Sequence, residues 1–147
     1  MSQDDVGVDL DTSLGYHLKQ AHSVLRSAMD AALRPLGMTV PQYACLELLH
    51  QRPGLSNSEL ARGAFVSRQS MNVLLQSLER EQLVSRPDQS PAGRALPVQL
   101  TPLGGERLRA ASAAVSSVET RMTQALNINQ QQQLRDLLAS CVKALSE

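Results

Sequence analysis

The sequence predicts a mainly α fold with one small β-hairpin, and three observations predict it. Apolar residues make up 42% of the 147 residues while aromatic residues make up only 2%, so the core must be aliphatic, and such a composition favours helix over sheet. Leucine and alanine recur at spacings of three and four residues along most of the chain. A turn-rich segment, residues 87–93, separates two short strand-like stretches.

The first half of the chain predicts three helices with recognisable ends. A long amphipathic helix occupies residues 13–36 and stops at Gly37, a residue that readily adopts the left-handed conformation of a helix end. The segment "TVPQ", residues 39–42, is a capping box that opens a second helix, which ends near residues 53–54. A second capping box, "SNSE", residues 56–59, opens a short third helix.

The stretch "VSRQSMNVLLQSLEREQLVSR", residues 66–86, predicts a fourth helix capped by Ser67. Its inner face has the spacing of a packed helix and consists of Met71, Leu74, Leu75 and Leu78. The opposite face carries an arginine and amides with no carboxylate before Glu79: Arg68, Gln69, Asn72 and Gln76. An ordinary surface helix mixes acids with bases, so this face suggests a dedicated role.

The second half predicts the hairpin and two more helices. Residues 83–86 and 95–100 are the strands, with Pro97 placed where the ladder needs no donor. Thr101 caps the next helix, which begins at Pro102, and Asn127 or Asn129 caps the last.

This order describes a winged helix-turn-helix, residues 38–101, between an N-terminal helix, residues 13–36, and C-terminal helices, residues 102–147. The outer helices carry more apolar surface than a small winged unit can cover, so we expect them to be dimerisation helices in a two-fold homodimer. A single domain is therefore expected over residues 13–147, after a flexible acidic tail, residues 1–12.

A helix-turn-helix inserts its second helix into the DNA major groove, where arginine suits guanine and the amides of glutamine and asparagine suit adenine. We expect Arg68, Gln69, Asn72 and Gln76 to read bases. Further contacts are expected with phosphates, from Ser56, Asn57, Ser67, Ser70 and Arg86. Arg94, beside Gly93 near the wing tip, is expected in the minor groove.

The segment "LRPLGMTVPQYACLELLHQRPGLSNSELARGAFVSRQSMNVLLQSLEREQLVSR", followed by "GRALPVQLTPLG", resembles the MarR (multiple antibiotic resistance regulator) family. The resemblance covers nearly all of the chain from Leu14 onward. It implies a homodimeric winged helix-turn-helix regulator, a repressor that binds palindromic operators in double-stranded DNA. It also implies release by a small aromatic effector or an oxidant.

Three departures from the family pattern bear on function. The wing tip, residues 90–94, keeps its last arginine but lacks the usual acidic partner; Gln82 stands at a usual glycine, and Val73 replaces a frequent arginine. With 14 basic and 14 acidic residues, the net charge does not itself indicate a polyanion partner. Two rival classes therefore stay open: a winged-helix protein-interaction module that has lost specific DNA binding, and a small-molecule-binding protein without regulatory output.

The crevice between dimerisation helices and winged unit is the ligand site that the resemblance implies. Residues expected there are His17, His22, Met38, Tyr43 and Arg52.

Other chemistry is not expected from this sequence. Cys45 and Cys141 are far apart, outside any CxxC motif, and both are expected to be reduced, with Cys45 a buried thiol rather than a redox sensor. The three histidines lack metal-ligand spacing, and neither a nucleophile with its base nor a phosphate-binding glycine loop is readable. We therefore expect no enzyme, metal or cofactor. The absence of an apolar run near about 20 residues or of a leader sequence predicts a cytoplasmic protein without a membrane partner.

Overall fold

A computed structural model describes residues 7–86 and 97–146 of the chain. The described part is mainly helical, with one two-stranded antiparallel sheet. Its elements in chain order are α1 (Leu14–Leu33), a 3-10 turn (Arg34–Leu36), α2 (Val40–Gln51), α3 (Asn57–Gly63), α4 (Arg68–Arg80), β1 (Val84–Ser85), β2 (Gln99–Leu100), α5 (Pro102–Met122) and α6 (Ile128–Leu145). The predicted fold class is confirmed.

The predicted caps start the helices. Thr39, Ser56 and Asn127 each form a complete capping box, in which the cap side chain and the third helical residue exchange hydrogen bonds with each other's backbone. Ser67 and Thr101 accept from the backbone N–H three residues ahead. Of the two candidates for the last cap, Asn127 is therefore the one that the fold uses.

Prolines end two helices earlier than the sequence pattern predicted. Pro35 cannot supply a helical N–H, and the chain tightens into the 3-10 turn before Gly37 terminates it with φ of 68°. α2 ends at Gln51 because Arg52 precedes Pro53 and has left the helical region, with φ of −133°.

The wing begins as a short hairpin. Val84 pairs with Leu100 and Ser85 with Gln99, so the described ladder is shorter than the predicted strands. Pro97 lies before β2, outside the ladder, as predicted. The loop between the strands, including Arg94, lies outside the described residues.

One aliphatic core joins α2, α3, α4, the hairpin and α5. Its fully buried side chains include Leu46, Leu60, Met71, Leu75 and Leu78. At the edge of this core, a hydrogen bond links α2 to α5: Ser112 Oγ donates to Glu47 Oε2 at 2.6 Å. Burial of the Glu47 carboxyl raises its pKa, but the bonds from Ser112, Gln51 and Tyr43 outweigh burial, and the net pKa lies below the ordinary value.

The outer helices leave an apolar surface exposed in the protomer. α1 packs on α5, yet Leu14 and Leu18 are 83% and 52% exposed. On α6 the exposed apolar residues are Ile128, Leu134, Leu137, Leu138, Val142 and Leu145. No helix in residues 7–86 and 97–146 is both long and apolar enough to cross a membrane.

Candidate nucleic-acid interface

α4 is held by its apolar face and presents its polar face to solvent. Met71, Leu75 and Leu78 are 0–1% exposed and fix the helix against the core. The residues of the opposite face are all exposed: Arg68, Gln69, Asn72 and Gln76. The structure therefore brings together the four side chains that the sequence predicted as a base-reading face. We call this face, Arg68, Gln69, Asn72 and Gln76, the reading face.

Val73 lies beside the reading face and is 61% exposed. An exposed valine on an otherwise polar surface can contact the methyl group of a thymine. Its position shows that it does not pack into the protomer core.

Two serines at the start of α4 are joined by hydrogen bonds that leave one hydroxyl proton for a partner. Ser67 accepts from Ser70 N at 3.0 Å and donates its own hydroxyl proton to Ser70 Oγ at 3.0 Å. The proton of Ser70 is therefore free to be donated outward, and a phosphate oxygen is a suitable acceptor.

The start of α3 lies beside the reading face. Ser56 caps this helix by accepting from Glu59 N at 3.2 Å, and Glu59 accepts from Ser56 N at 3.0 Å. The hydrogen bond from Ser56 N lowers the pKa of the Glu59 carboxyl. This arrangement fixes the backbone from which Asn57 projects.

Asn57 makes a contact that the sequence did not reveal. Its Nδ2 donates to Asn72 Oδ1 of the reading face at 2.9 Å. The two residues are 15 positions apart and on different helices, so periodicity carries no signal of the contact. Only the packing of α3 against α4 brings them together.

The basic residues predicted for the wing are placed in part. Arg86 Nε lies 3.4 Å from Glu79 Oε1, and both side chains are about 40% exposed. A phosphate bound by Arg86 would therefore compete with Glu79 for the same guanidinium group. The minor-groove role of Arg94 falls outside the described residues. Both assignments stay predictions.

Two non-glycine residues in the described ranges have a left-handed backbone. Phe65, in the turn between α3 and α4, has φ of 60° and is 93% exposed. Gln82, after α4, has φ of 64°, at the position where the family pattern has glycine. Thr101 holds this junction by donating to Gln82 O at 2.7 Å, which ties the end of α4 to the start of α5.

The residues predicted to bind a ligand lie on several elements of the protomer. His17 lies at the start of α1 and contacts Ser13 O at 2.7 Å, while Arg52 lies at the far end of α2. Met38 is buried near Arg34, and Tyr43 lies beside Glu47.

His22, the remaining residue of that set, lines a cleft of about 340 Å³ between α1, α2 and the turn before α4. Other lining residues that a ligand would meet are Arg26, Met29, Val40, Phe65 and Val66. The cleft thus combines an apolar wall with His22 and with Arg26, whose Nε lies 3.7 Å from Asp30 Oδ1 in an exposed ion pair. Sequence reasoning missed Arg26 and Phe65, which nothing in their local pattern marks as cleft residues.

Cys45 lies in the core, fully buried, and burial raises the pKa of its thiol to about 12. A thiol in such an environment is poorly nucleophilic at neutral pH. Cys141 is exposed on α6 in the protomer. Within residues 7–86 and 97–146, no group of three or more His, Cys, Asp or Glu side chains is positioned to hold a metal ion.

Sequence comparison identifies the family. Residues 36–95 match the profile of the MarR family. The chain is 41% identical over 133 residues to the HTH-type transcriptional repressor Rv2887 of Mycobacterium tuberculosis (strain ATCC 25618 / H37Rv), an alignment that covers 90% of this chain and 96% of that protein. The chain belongs to the MarR family.

Solved structures of MarR-family proteins agree with the fold. Rv2887 in complex with salicylic acid superposes with a TM-score of 0.74 at 41% identity, covering 89% of this chain and 97% of that one. Rv2887 in complex with DNA gives a TM-score of 0.73 at 40% identity, covering 89% and 98%. Proteins of the MarR family are transcriptional regulators, and the prediction that this chain is not an enzyme is confirmed by its membership.

Proposed function

We propose that this MarR-family regulator represses transcription as a homodimer that binds a palindromic operator and is released by a small aromatic acid. The observation that carries the proposal is the reading face: four exposed, acid-free side chains on a helix whose other face carries the buried Met71, Leu75 and Leu78. The DNA complex of Rv2887, a 40% identical relative, supports the same role for this chain. Such a function belongs in the cytoplasm, together with the DNA.

In the dimer, two α4 helices would enter successive major grooves on one side of the duplex, about 34 Å apart. Arg68 would pair with guanine O6 and N7 through its planar guanidinium, and the amides of the reading face would pair with neighbouring bases. Ser67, Ser70, Ser56 and Asn57 would hold phosphates and fix the register. Arg86 and Arg94 would add phosphate and minor-groove contacts from the wing.

The deciding experiment measures binding of the purified dimer to a duplex taken from the region upstream of its own gene. We expect saturable, sequence-preferring binding that weakens as salt rises, because phosphate contacts release counterions. Arg68→Ala should cost about 1–3 kcal/mol of operator binding if Arg68 pairs bidentately with guanine. Arg80→Ala is the comparison variant, since Arg80 is exposed on the same side of the helix, one turn beyond Gln76, but lies about 18 Å along the helix axis from Arg68.

Two results would contradict the proposal. Equal losses from Arg68→Ala and Arg80→Ala, with unchanged sequence preference, would remove base reading from Arg68. A folded dimer without any salt-dependent affinity for duplex DNA would favour the rival class, a protein-interaction module.

The cleft between α1, α2 and the turn before α4 is the proposed ligand site. Its volume of about 340 Å³ lies within the range of small-molecule sites, and its basic and apolar walls suit an aromatic carboxylate. The carboxylate would pair with Arg26 or His22, and the ring would lie against Met29 and Phe65. The salicylic acid complex of the relative Rv2887 supports a ligand of this class.

The test is release of the repressor from its operator by salicylic acid. Arg26→Ala should raise the concentration needed for release about tenfold or more, because a charge-assisted bond is lost. Arg34→Ala is the control, since Arg34 lines a separate cleft together with Met38. The opposite outcome, loss of release only in Arg34→Ala, would move the ligand out of the proposed cleft.

A further inference from the structure

We infer that Val73 recognises the C5-methyl group of a pyrimidine in the operator, so that binding responds to thymine and to 5-methylcytosine alike. The inference rests on the proposed base reading by α4 and adds an apolar contact that the reading face itself does not contain. Val73 is 61% exposed. It is the only apolar residue of α4 outside the set that packs into the core, which consists of Met71, Leu74, Leu75 and Leu78.

Val73 lies near the middle of the exposed side of α4. Residues four apart differ by about 40° around an α-helix, and residues three apart differ by about 60°. Gln69 and Gln76 therefore flank Val73 on one stripe, at about 6 Å and about 4.5 Å along the helix axis. This stripe points away from the buried Met71 and Leu78, so a groove that receives the two glutamines also receives Val73.

The neighbours of Val73 on the surface of the helix are polar. The positions three and four residues away hold Gln69, Ser70, Gln76 and Ser77. Valine is a poorer helix former than alanine, and these neighbours give its side chain no apolar burial. The stability of α4 therefore does not explain a valine at this position, whereas burial against a partner in the groove does.

The major groove contains one kind of apolar group that fits this side chain. Thymine presents its C5-methyl group there, and the other contacts that the bases offer are hydrogen-bond donors and acceptors. Methylation of cytosine at C5 places a methyl group at the same position of the ring. An aliphatic side chain forms no hydrogen bond with thymine O4 or cytosine N4, so Val73 accepts both methylated pyrimidines. Operator binding then depends on C5 methylation.

Deoxyuridine tests this contact, because it lacks the methyl group but keeps every hydrogen-bonding atom of thymine. Each thymine of the operator is replaced in turn, at the same position of both half-sites, and binding of the full dimer is measured. We expect one position at which replacement weakens binding about fourfold per half-site, the effect of one buried methyl group. The two half-sites together should give about 15-fold.

Val73→Ala assigns the effect to this side chain. The shorter side chain leaves a gap at the methyl group, so the preference for thymine over deoxyuridine should fall below about twofold per half-site. Because Val73 is exposed and alanine is the better helix former, thermal unfolding should show an unchanged or slightly higher Tm. Arg68→Ala is the control: it should weaken binding to both duplexes alike and leave the preference at about fourfold.

Methylated cytosine extends the test to control of binding by DNA modification. In one half-site the T·A pair at this position is replaced by C·G, either with or without the C5-methyl group, while the other half-site keeps the complex measurable. Methylation should strengthen binding about fourfold in the wild-type protein and less than about twofold in Val73→Ala. Comparison within one base pair removes the difference in hydrogen bonding between T·A and C·G.

Three outcomes would overturn the inference. The first is an operator in which no replacement by deoxyuridine weakens binding. The second is a preference for thymine that persists in Val73→Ala, which would assign it to another side chain or to DNA shape. The third is equal affinity for cytosine and 5-methylcytosine at the sensitive position. Binding of the unmodified operator, and its loss in Arg68→Ala, report separately whether α4 reads bases, so failure of the methyl contact is distinguishable from failure of the proposed function.

Discussion

At residue 82 a glutamine holds a backbone conformation that glycine adopts at lower cost. Its φ of 64° brings Cβ close to neighbouring backbone atoms, and the side chain is exposed, so no packing offsets the strain. We predict that Gln82→Gly raises the free energy of unfolding by about 1 kcal/mol. Urea denaturation measures this change in the free energy of unfolding. Both proteins are compared at the same concentration, because the stability of a dimer depends on protein concentration.

The neighbouring residue supplies the control. Glu81 has φ of −82°, a region that every residue adopts, so Glu81→Gly gains no relief of strain. It loses about 0.5–1 kcal/mol through the greater freedom of the unfolded chain, in addition to the hydrogen bond that Glu81 Oε2 accepts from Gln42 Nε2 at 3.1 Å. Stabilisation by both glycines, or by neither, would show that strain at residue 82 is not the cause.

Cys45 allows a second prediction at this scale, on reactivity. Its folded-state pKa of about 12 lies above that of an unfolded thiol. The contribution of Cys45 to the free energy of unfolding is therefore fully present below pH of about 8.5. It is lost as pH rises towards 12, because the unfolded thiol ionises while the buried thiol does not. In a Cys141→Ser variant at pH 7, a thiol reagent should modify Cys45 only as fast as the protein opens.

The protein unfolded in concentrated urea gives the reference rate for that reaction. There, modification of Cys45 should be complete almost at once. The same buried thiol leads us to expect that hydrogen peroxide does not change operator affinity in this variant. Rapid modification under native conditions, or release from DNA by peroxide, would instead make Cys45 a redox sensor.

At the scale of elements, the sequence was informative wherever the cause of structure is local. The capping boxes at Thr39 and Ser56 and the glycine at residue 37 were readable because their hydrogen bonds and backbone angles involve near neighbours in the chain. The two faces of α4 followed from periodicity for the same reason.

Contacts between elements were not readable from the sequence. The Asn57–Asn72 bond and the placing of Arg26 and Phe65 in one cleft depend on how helices pack. Of the five predicted ligand residues, only His22 is among those that line this cleft, since a family pattern fixes the order of residues along the chain but not their distances.

The junction between α4, the hairpin and α5 yields a prediction that only the packing supports. Gly104 is buried at the start of α5, and a Cβ there would collide with the carbonyl oxygen of Leu83. Because the obstacle is backbone, α5 would have to move away, and we predict that Gly104→Ala lowers the free energy of unfolding by about 3 kcal/mol or more.

Gly105 is the matched control, one residue further along the same helix. A Cβ at Gly105 has no described atom within 4 Å, and alanine is the better helix former, so Gly105→Ala should stabilise by about 0.5–1 kcal/mol. Thermal unfolding of both variants measures the contrast. Equal effects of the two substitutions would mean that close packing at Leu83 does not govern this junction.

At the scale of the whole molecule, the apolar stripe of α6 has no counterpart within the described protomer. Leu134, Leu138 and Val142 are 44%, 39% and 65% exposed at the spacing of one helix face. In a two-fold dimer each residue of this face occurs twice, so one substitution changes two sites. If both copies of a leucine in this face become aspartate, the dimer loses about 1.5–3 kcal/mol of apolar burial at each of the two sites. The desolvation of each buried carboxylate adds a further cost.

We therefore predict that Leu138→Asp raises the dimer dissociation constant by about 100-fold or more. Ser140→Asp introduces the same charge about 200° away around the helix and should leave the dimer intact. Sedimentation equilibrium across a range of protein concentrations measures both variants. A dimer equally stable in both would place the subunit interface away from α6.

Loss of the dimer has a consequence at the operator that differs from loss of the reading face. A monomer still carries one intact α4, so Leu138→Asp should bind a half-site as tightly as one wild-type protomer does. Its affinity for the full palindromic site should fall by about 100-fold or more, because its two α4 helices are no longer linked in one dimer. Arg68→Ala, in contrast, should weaken half-site and full-site binding in every assembly state. Titrating both variants against half-site and palindromic duplexes separates the contribution of assembly from that of base contact.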